Sequence, residues 1–194
     1  MTTVTESLRG WLVSAAVEDR RARAGVGVAA FVLATAFAAQ VAVPLPWTPV
    51  PMTLQPLFVI LAGAMLGPRL GAMAMAIYVV IGATGAPVFS NGGFGIPWLL
   101  GPTGGYLVAA PAAAFVVGSV ASKGAGWLRT AAALTLGVLT MYVGGVSQLL
   151  FVTGQGFGSV LSMAVLPFIA GDVTKVLTAL VLLRGVAPKS PGLR

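Results

Sequence analysis

The sequence predicts an all-α fold: an integral membrane bundle of six helices with both termini on the cytoplasmic side. Three observations lead there. The chain is 58% hydrophobic, with a mean hydropathy of +0.99. Only 8% of its residues are charged, against about 25% in ordinary soluble domains. Its apolar residues form six stretches, some of the full length a bilayer span needs and others short enough to need a place within a bundle, and the basic residues gather in alternate connections between them.

The first span runs from Gly25 to Val43, directly behind Arg20, Arg21 and Arg23. The second, Leu54 to Leu66, is short and follows Pro51, which is well tolerated at a helix start. The third runs from Leu70 to Thr84 and the fourth from Gly104 to Ala121. The fifth, Leu128 to Thr153, is long enough to tilt or to project beyond the bilayer. The sixth, Val160 to Leu183, holds Asp172 and Lys175 near its middle. Pro- and Gly-rich punctuation separates the spans, most densely at Pro44–Pro51 and Gly85–Gly105.

Loops 44–53, 85–103 and 153–161 carry no charge. Every basic residue except Arg9 and Lys175 lies in the other two loops or near the termini. The positive-inside rule then makes those regions cytoplasmic and the uncharged loops external. Arg69, Lys123 and Arg129 read as inner-surface anchors. The division is an N-terminal cytoplasmic extension (1–24), a membrane domain (25–184) and a cytoplasmic tail (185–194).

The arginine cluster, the apolar run and Ala36-Phe37-Ala38 also have the outline of a signal peptide. The run is long enough to span, so an uncleaved first helix is expected. Leu8, Arg9, Trp11, Leu12 and Val13 fit a short helix lying on the membrane surface or an unstructured tail equally well. No repeat with a period of about 20–50 residues stands out, nor does the internal two-fold symmetry common in secondary transporters.

Composition excludes much chemistry. There is no cysteine and no histidine, so disulfides, thiolate or zinc sites and Ser-His nucleophiles are out. Of four carboxylates, three lie in the first 19 residues, which leaves no pair for acid–base catalysis. An enzyme is not expected, and neither is a cofactor. The net charge of +7 is not interleaved with aromatics as a nucleic-acid groove would be. Gly101-Pro102-Thr103-Gly104-Gly105 lacks the Lys-Ser/Thr of a nucleotide-binding loop.

Asp172 is the one acidic residue beyond Asp19. A charge at the centre of a membrane helix costs about 2.5–3.5 kcal/mol on insertion scales. Lys175, three positions on, shares its helical face and partly neutralises it. The plain alternative is an ion pair that fixes packing, yet such pairs rarely improve on apolar replacements. A binding site inside the membrane is the expectation.

The uncharged loops are elaborate enough to roof such a site. Phe89, Phe94 and Trp98 alternate with glycine hinges and one amide, Asn91, although an interfacial aromatic belt has a similar composition. Thr103 before Gly104 fits a helix start whose free N–H groups can receive an anion. Thr53 and Gln55 place polar groups where the second span begins; Gln55 also suits an interhelical hydrogen bond.

Five blocks occur in order: Val50-Pro51-Met52-Thr53-Leu54-Gln55, Gly67-Pro68-Arg69-Leu70-Gly71, Gly85-Ala86-Pro87-Val88-Phe89, Gly101-Pro102-Thr103-Gly104-Gly105-Tyr106, and Gly171-Asp172 with Lys175. Together they resemble the BioY family, the biotin-binding S components of energy-coupling-factor (ECF) transporters, over residues 30–184. The resemblance implies an ECF S-component-like bundle in a bacterial plasma membrane. It further implies capture of external biotin and cooperation with a transmembrane coupling protein and ATPase subunits. Contact with lipid follows from the spans, and homo-oligomers are compatible.

Asp172 suits the ureido N–H groups of biotin and Lys175 a carbonyl or carboxylate. Asn91 offers donor and acceptor together. Tyr106, Thr53 and Gln55 stand beside the motifs, and Phe89 and Trp98 would supply apolar wall. Ala30, Ala34 and Ala38 recur every four residues and permit close helix approach. A similar alanine motif in related S components implies that the coupling protein meets this face, though so alanine-rich a chain also produces that spacing without a partner. The alternative function is a proton-coupled secondary carrier of a small organic anion, with Asp172 as proton relay.

Overall fold

The computed structural model describes the backbone of residues 4–121 and 126–186 and the side chains of 19–121 and 126–185. Lys123, Lys189 and Arg194 lie outside the described residues, as do the side chains of Leu8, Arg9, Trp11, Leu12 and Val13. Helix α1 (Val4–Gln40) runs unbroken through position 24 and into the bundle. A two-residue ladder follows, β1 (Ala42–Val43) antiparallel to β2 (Met52–Thr53), and closes the first uncharged loop. Next come α2 (Gln55–Leu66), α3 (Pro68–Ala83), the short α4 (Gly95–Leu100), α5 (Gly104–Val120) and α6 (Trp127–Thr153), then α7 (Phe157–Ala164) and α8 (Ile169–Val186).

Among the described residues, three stretches are long and apolar enough to cross a membrane, 19–40, 127–153 and 157–185, with α2, α3 and α5 as shorter apolar helices beside them. Together they make the all-α membrane bundle. One residue separates α2 from α3: Gly67 adopts φ 81°, a conformation open to glycine, and Pro68 opens the next helix without losing a bond.

Small residues let the helices approach closely. A Cβ at Gly63 would strike the Ala114 carbonyl, and one at Gly105 would strike the Gly144 carbonyl, as expected where packing rather than hydrophobicity drives helix association. The core is built from fully buried Tyr78, Phe89, Ile60, Met75 and Leu134.

The sixth span differs from expectation. It is broken at Val165 (φ −128°, ψ −58°), passes through a 3₁₀ turn over Leu166–Phe168 and resumes as α8. Pro167 is the cause: it has no N–H and disfavours the α conformation of the residue before it. Asp172 therefore stands in the first turn of α8 rather than at mid-helix. There the partial positive charge of the helix N-terminus offsets part of the cost of burying it, by about 0.3–1 kcal/mol.

Candidate ligand-binding site

The chain's odd charge is resolved locally. Lys175 Nζ donates to Asp172 Oδ1 at 2.7 Å, and Tyr142 Oη, from α6, donates to Oδ2 at 2.6 Å. Both side chains of the ion pair are only 7–8% exposed. Both carboxylate oxygens thus hold a donor and keep lone pairs for another. Lys175 has further N–H groups free of Asp172.

These three residues line an inner chamber of about 60 Å³, with Thr53, Gln55 and Tyr106 on its walls. Apolar surface comes from Val138, Met141 and Phe168. Gln55 is buried, and its amide takes no hydrogen-bond partner among the described residues. The amide opens onto the chamber instead. The Thr53 hydroxyl accepts from the Gln55 backbone N–H at 3.3 Å. Tyr106 lies against Gly145, where a Cβ would meet its ring, and its hydroxyl donates to the Ala164 carbonyl at 2.6 Å. That proton is committed to holding α5 against the end of α7, so Tyr106 offers the chamber its ring.

A wider vestibule of about 440 Å³ adjoins the chamber, with Pro51 and Thr103 bordering both. Asn91 and Trp98 belong to this vestibule and not to the inner wall. Asn91 is exposed and holds φ 54°, a left-handed conformation asparagine tolerates better than most residues. Trp98 Nε1 is buried without a hydrogen-bond partner among the described residues.

Phe89 is placed elsewhere than expected. It is fully buried in the core, edge-on to Tyr78 with ring centroids 5.7 Å apart, in space that Gly82 leaves by lacking a Cβ. It lines neither cavity. The helix-start N–H groups near Thr103 are also partly used: those of Gly104 and Tyr106 donate to the Gly101 and Thr103 carbonyls. The alanines diverge as well. Ala30 is exposed, Ala34 half-buried and Ala38 buried, because each step of four advances about 40° around a helix.

Sequence reasoning missed Tyr142, Ser90 and Phe168 as lining residues, and read Thr103 only as a helix start. Tyr142 had a usable signal: a tyrosine inside a membrane helix carries a hydroxyl that needs a partner, and Asp172 was the unsatisfied acceptor.

This chain is similar to proteins of one family. The sequence profile of the BioY family matches residues 9–192. A probable biotin transporter BioY of Pyrococcus horikoshii is 44% identical over 155 residues, which is 80% of this chain and 90% of that one. A biotin transporter BioY of Thermotoga maritima is 40% identical over 141 residues, 72% and 83% of the two chains. The crystal structure of the S component for biotin from an ECF-type ABC transporter superposes with a TM-score of 0.79. It covers 86% of this chain and 92% of that one at 24% identity, and so speaks for the fold.

Proposed function

The chain belongs to the BioY family, and from that premise we propose that it captures biotin as the substrate-binding membrane component of an ECF transporter. It is a transport protein and not an enzyme. The observation that carries the reading is the Asp172–Lys175 pair, buried yet opening onto a cavity. A pair kept only for packing would be enclosed by side chains.

In this reading Asp172 accepts from the ureido N–H groups, and Lys175 donates to a carbonyl or carboxylate of the ligand. Gln55 and Thr53 add polar contacts, Val138, Met141 and Phe168 receive the apolar ring, and Asn91 and Trp98 act from the vestibule. The uncharged loops face outward and the basic end faces the cytoplasm. ATP-driven release belongs to the coupling protein and ATPase subunits, met on α1 around Ala30 and Ala34; lipid contact and self-association are compatible with the exposed apolar surface. The proton-carrier alternative is disfavoured because Asp172 is already held by two donors.

Isothermal titration of the purified protein with biotin, dethiobiotin and lipoate tests this. Biotin and dethiobiotin, which share the ureido group, should give saturable heat. Lipoate should not, since it would leave buried polar groups unpaired. No biotin heat at micromolar concentrations would retire the reading.

A further inference from the structure

The segment that roofs the vestibule is rooted in the core at Phe89, but the helix that follows is slight. Helix α4 has six residues, none fully buried, far fewer than the 12–15 or so that an isolated helix needs even to be marginal. Two glutamines from other helices seize the backbone of segment 89–101, Gln40 at the turn before α4 and Gln148 at the end of α4. Gln40, the last residue of α1, donates from Nε2 to the Phe89 carbonyl and accepts the Gly92 N–H through Oε1, both at 3.0 Å. Gln148, on α6, points Nε2 at the carbonyls of Leu99, Leu100 and Gly101, at 3.4, 3.1 and 3.3 Å. Those carbonyls lie at the end of α4, where a helix lacks internal donors.

Between the two grips, the Trp98 ring fills the place a Cβ on Gly93 would occupy, which joins the 90–92 turn to α4. The joined unit carries Ser90 to the chamber and Asn91 and Trp98 to the vestibule. Neither glutamine borders either cavity. We infer that Gln40 and Gln148 are positioning residues for ligand retention: they fasten segment 89–101 over the site from two separate helices, α1 and α6. The inference rests on the biotin reading above.

The two grips differ chemically, and that makes them separable. Gln148 only donates, so Gln148→Glu keeps the shape but turns an acceptor toward three carbonyls, whereas Gln148→Lys keeps a donor. Gln40 both donates and accepts, so Gln40→Glu loses half its grip.

The test is biotin dissociation from the purified wild type and the three variants, with amide hydrogen exchange over 89–104 in the ligand-free state. Gln148→Glu should release biotin about tenfold faster, as loss of a net hydrogen bond predicts, with association little changed. Gln40→Glu should show a smaller acceleration, and Gln148→Lys should stay near wild type. Exchange over 89–104 should rise in the Glu variants alone, which also scores a variant too unstable for kinetics. Unchanged release in both Glu variants, or Gln148→Lys behaving like Gln148→Glu, would overturn the inference. A wild type that binds no biotin would defeat the functional reading instead, and the exchange pattern would still decide the clamps.

Discussion

Tyr142 Oη and Asp172 Oδ2 meet at 2.6 Å across thirty residues of sequence. Lys175 takes the other carboxylate oxygen, so the acid is held from two helices. Lys175 shares α8 with Asp172 and moves with it. Tyr142 alone fixes the carboxylate relative to α6. It thereby sets where the free lone pairs point.

Tyr142→Phe should therefore weaken biotin binding by about 10- to 100-fold, the range for one hydrogen bond to a charged group. The ring remains to pack, so the thermal midpoint should fall only slightly. Titration calorimetry beside a melt in detergent reads both. An unchanged affinity would reduce Tyr142 to a packing residue.

Phe89 and Asn91 sit two residues apart and should fail in opposite ways. Phe89→Ala empties a fully buried site against Tyr78 and Gly82; such truncations cost about 3–5 kcal/mol. It should lower the melting temperature steeply. Asn91→Gly keeps the positive φ without strain. The expected outcome is an unaltered melt and weaker biotin binding. A stable Phe89→Ala protein with lost affinity would reverse this assignment.

Much of the bundle was legible because hydropathy and charge act over whole segments. Four of the six spans fall within a few residues of α2, α3, α5 and α6, and the first ends near the end of α1, which begins 21 residues before it. The break at Val165 was readable from Pro167, yet the apolar run around it looked continuous, and composition outweighed one residue. Asp172 and Lys175 were found because charge inside hydrocarbon is conspicuous. Tyr142 and Gln148 were not, since each acts through a partner that only the tertiary fold supplies. Phe89 was misplaced for a related reason: an aromatic in a loop carries no mark of which way it turns, and Gly82, which admits it to the core, lies seven positions earlier.

The lack of native cysteine gives a clean test of orientation. Single cysteines at Asn91 and at Arg69, both exposed, can be probed in intact cells with a membrane-impermeant maleimide. Labelling at position 91 alone is expected. Labelling at 69 alone would invert the topology that the positive-inside rule assigns.

The Asp172–Lys175 pair allows stability and binding to be pulled apart. Lys175→Met leaves the carboxylate buried with Tyr142 as its one remaining donor, and breaking a buried pair in this way costs about 3–5 kcal/mol. Both the melting temperature and biotin affinity should drop. Asp172→Leu with Lys175→Met removes the stranded charge along with its partner, and such apolar replacement is often neutral or stabilising. The double variant should therefore melt near or above wild type. If the pair existed for packing, that recovery would bring binding back with it. If the pair holds the ligand, the double variant is a stable bundle that no longer takes up heat from biotin, and this second outcome is the one expected.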